Sequence, residues 1–117
     1  SSDVFAGSVV AYSNDVKVNL LGVDPGILTK YGAVSEETAG QMAVGICRVT
    51  NADVSVSITG IAGPGGGTAQ KPVGTVCFGF NISGREFTVT RIFGGSRERV
   101  RTFSSLYAIN FLRNKLG

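Results

Sequence analysis

Two rhythms of hydrophobic and polar residues run along this chain. Val54–Thr59 alternates Val, Ser, Val, Ser, Ile, Thr, the period of two that places one set of side chains on each face of a strand. Gly74–Ile82 and Glu86–Phe93 are rich in β-branched and aromatic residues and are joined by Ser83-Gly84, so they predict two strands in a tight hairpin. Val4–Tyr12 has the same character and reads as a strand entering a core, with Gly7 marking a close backbone approach.

The helical rhythm appears between these runs. Ser13-Asn14-Asp15 supplies a cap and an acidic first turn for a short helix through Val16, Lys17, Leu20 and Leu21, stopped at Gly22. Asp24-Pro25 opens a helical turn over Gly26–Tyr31 that Gly32 closes. Ser35-Glu36-Glu37 starts a longer helix whose apolar face is Ala39, Met42, Ala43, Ile46 and Cys47 or Val49. A last helix begins at Ser96 and is expected to carry Val100, Phe103, Leu106, Tyr107 and Phe111 on one face. Strands separated by helices, with one hairpin, indicate an α/β sheet of mixed direction covered by helices. No internal repeat or linker interrupts it.

Composition narrows this picture to one domain over residues 1–117. At 117 residues the chain supports a single hydrophobic core. Its 43% hydrophobic and 16% charged residues suit a folded body rather than a disordered one. The net charge of +3 is carried by scattered residues until Arg97, Arg99 and Arg101 gather near the end. A nucleic-acid binder would show a denser basic stripe interleaved with aromatics, so the cluster fits one small anionic group better than a polyanion. There is no histidine, which removes the common zinc sites, the Ser-His-Asp triad and the Cys-His dyad together. Cys47 and Cys77 lie in apolar segments without metal-ligand spacing and read as reduced core residues. No apolar run reaches the roughly 18 residues of a membrane span, and no signal peptide is visible, so a cytoplasmic location is expected.

Three segments carry candidate chemistry. Five of the eight residues from Gly60 to Gly67 are glycine, in a loop that leaves a strand end and returns to the sheet through Lys71-Pro72-Val73-Gly74. Such a loop brings backbone N–H groups close to a ligand, although a merely flexible loop has the same composition. It is neither a Walker A loop nor a dinucleotide fingerprint, because no Gly-Lys-Ser/Thr follows and no helix starts directly after it. Tyr12, Ser13, Asn14 and Lys17 sit where a strand gives way to a helix, the edge at which open α/β sheets bind ligands. A lysine there can act as general base if burial lowers its pKa, and a Ser-Lys pair activates a serine without histidine. A solvated surface lysine is the alternative. Gly94-Gly95-Ser96 opens the last helix with free backbone donors, and Arg99 in its first turn can hold a phosphate or carboxylate; a plain solvated helix start is the equal alternative.

Taken together, these segments resemble the signature of the CinA C-terminal domain. The resemblance rests on Gly60–Thr68 followed by Lys71–Val76, on Ser1–Phe5, on Val10–Asn14 with Lys17, and on Leu20–Val23 and Tyr31–Glu36. It runs from the first residue to the last helix. It implies a three-layer α/β/α fold with a mixed, mostly parallel sheet. It also implies hydrolysis of the amide of nicotinamide mononucleotide to nicotinic acid mononucleotide and ammonia, with no metal or cofactor. By the same resemblance the Ser-Lys pair falls on Ser2 and Lys17, and substrate-binding positions fall on Tyr12, Thr59, Gly60, Ala62, Gly63 and Arg99. Implied partners are a small nucleotide substrate and a second copy of the chain in a homo-oligomer, with neither nucleic acid nor membrane. The phenylalanines Phe78, Phe80, Phe87 and Phe93 read as core rather than interface.

One departure stands out. The family carries an upstream Ser-Cys-Thr-Gly-Gly motif whose serine belongs to the active site, and no such motif occurs here. The chain also enters a strand of buried character directly after Ser1-Ser2-Asp3, so an upstream strand and helices are expected to complete the domain. Either serine can then be the nucleophile. Processing that exposed Ser1 as an N-terminal nucleophile is a further alternative, and a non-catalytic nucleotide-binding module of the same fold is the competing function.

Overall fold

The structure, a computed structural model, describes residues 6–7, 14–61 and 63–117. Its elements in order are β1 (Ala6–Gly7), α1 (Asn14–Asn19), α2 (Pro25–Tyr31), α3 (Glu36–Thr50), β2 (Val54–Gly60), β3 (Thr75–Ile82), β4 (Arg85–Ile92) and α4 (Arg97–Leu116). Of the expected Val4–Tyr12 strand, only Ala6–Gly7 falls within the described residues.

The described strands form one sheet in the order β1-β2-β3-β4. β1 runs parallel to β2, whereas β2 with β3 and β3 with β4 are antiparallel. Among the described strands the sheet is therefore mixed but not mostly parallel. The reason is local. The turn at Ser83-Gly84 places both residues at positive φ, 52° and 85°, and such a turn reverses the chain into the neighbouring strand. The glycine loop reverses it once more between β2 and β3.

The two faces of the sheet differ in chemistry. Val56, Val76, Phe78, Phe80, Phe87 and Val89 point to one side and pack beneath α4. Phe80 and Phe111 stack at 3.9 Å between ring centroids, and Phe78 meets Tyr107 at 4.8 Å. Burying each phenylalanine contributes roughly 1.5–3 kcal/mol, so this layer dominates the core. The hairpin phenylalanines thus lie largely in the core, with Phe78 and Phe80 fully buried and Phe87 and Phe93 partly so.

The opposite face is small and polar. Ser55 and Ser57 donate to the carbonyl oxygens of Ala43 and Ala39 in α3, at 2.6 and 2.5 Å. Those carbonyls use their second lone pair, since the first serves the helix. Gly79 lies opposite Ser57, and a methyl group there would run into the Ala39 carbonyl oxygen. α3 starts where expected and is capped at both ends. Ser35 Oγ accepts from the Thr38 amide, and Asn51 ends the helix in the left-handed conformation. Ala39, Met42, Ala43 and Ile46 are buried, while Val49 is exposed. Met42 and Ile46 form a second cluster with Leu21 and Val23 from the segment after α1. With α4 on one face and α3 on the other, the fold is α/β/α.

α4 departs from the expected face. Val100, Ser104 and Ala108 are its buried residues, with Tyr107, Phe111 and Leu112 packed beside them. Leu106 is 51% exposed and Phe103 37% exposed. A helix on a flat sheet buries a narrow stripe, and the small residues at 104 and 108 set its centre where hydrophobicity alone pointed to Leu106.

Gly79→Ala is expected to destabilise the full-length protein by about 1–3 kcal/mol through overpacking. Gly94→Ala, where an added methyl group meets open space, should change it by less than about 0.5 kcal/mol. Urea unfolding of both variants tests this, and equal stability would show that α3 does not need the close approach.

Candidate functional site

Lys17 stands on the short helix α1. It is only 6% exposed, although a lysine at a helix start is ordinarily solvated. Burial pushes its pKa below the ordinary lysine value of 10.5. The segment that follows is fixed to α3. The Val23 amide donates to the Lys17 carbonyl at 2.9 Å, and Arg48 Nη2 donates to the Leu20 carbonyl at 3.0 Å. Gly45 lets the Leu21 backbone pass so close to α3 that a side chain there would collide with it.

The glycine loop begins where β2 ends. Thr59 is buried on the polar face, and its hydroxyl donates to the Ala33 carbonyl at 2.8 Å. Gly60 is exposed at the strand end, with an added methyl group meeting Val76 Cγ2 at 3.0 Å. Gly63 adopts φ +81°, a conformation that favours glycine, and a methyl group there would reach Val73 Cγ1 at 2.5 Å. The loop is thus folded over Val73 rather than extended. The Gly63 carbonyl accepts from Arg97 Nη1 at 3.3 Å.

That last contact separates two arginines at the start of α4. Arg97 is the one that reaches the loop. Arg99 is exposed, and its guanidinium lies 5.2 Å from the centre of the Phe103 ring. Its backbone amide bonds the Ser96 hydroxyl that caps the helix. Thr59, Gly60 and Gly63 are brought together at one end of the sheet, with the N-terminus of α4 beside Gly63. Ser2, Tyr12 and Ala62 lie outside the described residues.

A cleft of about 480 Å³ opens nearby, walled by Tyr31, Glu36, Lys71, Thr75, Cys77 and Thr90 among others. Thr59, Cys77 and Thr90 are register neighbours across three strands, so their side chains form one row beneath the N-terminus of α3. Glu36 closes the row, accepting from the Thr88 and Thr90 hydroxyls at 2.9 and 2.6 Å. Lys71 Nζ crosses above it to the carbonyls of Tyr31 and Val34 at 2.7 and 2.6 Å. Cys77 is buried, and burial pushes its thiol pKa up, against the lowering effect of the Thr90 hydroxyl. Both cysteines are free thiols. No group of three or more metal-ligating side chains exists among the described residues. None of their helices is long and apolar enough to cross a membrane.

Sequence reasoning did not single out Glu36, Thr90 or Lys71 for the site, and it placed Arg97 only in a basic cluster suited to a small anion, not against the glycine loop. The period-two pattern of β4 does align Thr88 with Thr90, but their meeting with Glu36 spans more than fifty residues.

A model of the CinA C-terminal domain matches residues 1–116. The chain belongs to that family. It is 50% identical over 118 residues to a CinA-like protein of Mycobacterium marinum, a match covering all of this chain and 28% of that protein. A CinA-like protein of Kosmotoga olearia is 46% identical over 115 residues, covering 98% of this chain and 28% of the relative. The fold is similar to a competence-damaged protein (CinA) superfamily structure from Enterobacter cloacae, with TM-score 0.89 and 39% identity over 93% of this chain and 64% of that one. The competence/damage inducible protein of Agrobacterium tumefaciens gives TM-score 0.86 and 40% identity, covering 90% and 65%. The CinA-family chain therefore spans about a quarter of the curated relatives' length.

The buried Lys17 makes stability depend on pH. Its folded-state pKa is lower than its unfolded one, so the unfolded state binds more protons between the two values and stability rises with pH there. In the full-length protein, wild type should gain stability relative to Lys17→Met as pH climbs from neutral toward 10.5. Urea midpoints across that range measure it, and a constant difference would mean that Lys17 titrates normally.

Proposed function

We propose that this CinA-family chain supplies part of an amidohydrolase site that deamidates nicotinamide mononucleotide. The buried Lys17 is the observation that carries this reading. An amine whose ammonium form is disfavoured by desolvation offers its free base at a lower pH than an ordinary lysine, and without histidine few other groups in this chain can activate a hydroxyl.

In this reading a serine hydroxyl, Ser2 or the upstream family serine, attacks the carboxamide carbon while Lys17 takes its proton. The carbonyl oxygen becomes an oxyanion. As the tetrahedral intermediate collapses, the C–N bond breaks and Lys17 returns the proton to the departing ammonia. Water, deprotonated by the same lysine, then attacks the acyl-serine; the bond to the serine oxygen breaks, Lys17 returns the proton to that oxygen, and the acid formed ionises to the carboxylate. Tyr12 and the loop from Thr59 through Gly60, Ala62 and Gly63 line the nucleotide, and Arg99 faces its phosphate. Thr59 contributes by shape, since its hydroxyl is committed to Ala33. A cytoplasmic enzyme without cofactor, assembled from like chains, is part of the same proposal.

Ammonia release from nicotinamide mononucleotide by the full-length protein is the test. Lys17→Ala and Lys17→Arg should each lower kcat by roughly 10²–10⁴-fold, because neither retains a titratable amine. The wild-type rate should rise with pH to an inflection below 10.5, as Lys17 loses its proton. Full activity in Lys17→Ala would end the assignment, and binding without turnover in wild type would favour a nucleotide-binding module.

A further inference from the structure

The connection between α2 and α3 has an unusual property. Its four consecutive carbonyl groups, from Tyr31 to Val34, all accept hydrogen bonds from side chains. Gly32 is served by Ser35 and Thr38 from the start of α3, at 2.9 and 2.8 Å. The other three are served from the two ends of the glycine loop. Thr59, at its entrance, takes Ala33, while Lys71, at its exit, takes both Tyr31 and Val34.

We infer that Lys71 is a positioning residue, a clamp that sets the shape of the 60–72 loop by tying its exit to the 31–34 turn. Among the described residues the loop has few other fastenings. Ile61 pairs backbone groups with Gly74 and Thr75 at its base, Pro72 accepts from the Thr75 amide and hydroxyl, Thr68 and Lys71 close a small turn, and Arg97 holds Gly63. With glycine at positions 63, 65, 66 and 67, the backbone has little conformational preference of its own. Its ordering must come from such contacts. An ammonium with two carbonyl partners directs two donors from one point, and Tyr31 is the last residue of α2, where helix carbonyls lack internal partners. Thr59 and Lys71 together fix both ends of the loop to one short turn. The functional half of this inference rests on the amidohydrolase reading, in which the loop lines the substrate.

The test uses the full-length protein with Lys71→Met and Lys71→Arg. Hydrogen exchange over residues 63–70 should accelerate in Lys71→Met while the sheet and α3 keep their protection. KM for nicotinamide mononucleotide should rise by roughly 10- to 100-fold with a smaller change in kcat, the scale expected when a binding element is misplaced by about an ångström. Lys71→Arg, which keeps the charge and paired donors, should recover both readouts. If Lys71→Met fails to fold, Lys71→Gln keeps an uncharged NH2 donor on a shorter side chain and should show the same changes reduced. Unchanged loop exchange would overturn the clamp. Exchange that rises equally across the domain would also overturn it, showing only a general loss of stability. Should wild type not hydrolyse the nucleotide, the exchange measurement still decides the clamp, and only the amidohydrolase reading falls.

Discussion

The close seating of α3 on the polar face of the sheet is the contact on which the rest of the arrangement depends. Ser55 and Ser57 donate from β2 into the helix backbone, and Gly79 removes the side chain that would hold the two apart. A layer of large apolar residues would keep helix and sheet near 10 Å apart, whereas hydroxyls and a glycine allow backbone to approach backbone. The hydroxyls are buried, so each bond also avoids the cost of an unpaired polar group. Shape and hydrogen bonding therefore agree on one depth for the helix.

That depth determines where the functional segments lie. The N-terminus of α3 is brought down to the Thr59–Cys77–Thr90 row, so that Glu36 reaches two threonines of β4. The turn preceding α3 is carried to the end of β2, within reach of Thr59 and Lys71. At the other side Gly45 admits the Leu21 backbone, which locates the segment leading from Lys17. Lys17 itself is buried, and its lowered pKa follows from that burial, because removing an ammonium from water disfavours the charged form.

The opposite face does different work. Phe78, Phe80, Phe111 and Tyr107 form an aromatic layer that anchors α4. The start of α4 is consequently fixed beside the glycine loop, where Arg97 meets Gly63. The aromatic layer serves packing, and the placement of chemistry comes largely from the polar one.

The residue pattern alone determined the order of elements, the hairpin at Ser83-Gly84, the caps at Ser35 and Ser96, and the family. These depend on neighbours in sequence: a side-chain oxygen reaching an amide three residues on, two positive-φ positions, or a period of two or 3.6. Family motifs are legible because they are contiguous. Strand direction, the buried stripe of α4 and the partners of Lys71 and Glu36 were decided only by tertiary structure. Leu106 has the hydrophobicity of a core residue, yet it is half exposed, while Ser104 and Ala108 are buried at the contact. Arg99, the position to which the family resemblance points, is exposed while Arg97 touches the loop, a difference set by helix rotation. Lys17 reads in sequence as an ordinary lysine at a helix start. Its burial is a property of the folded chain, and no local pattern encodes it.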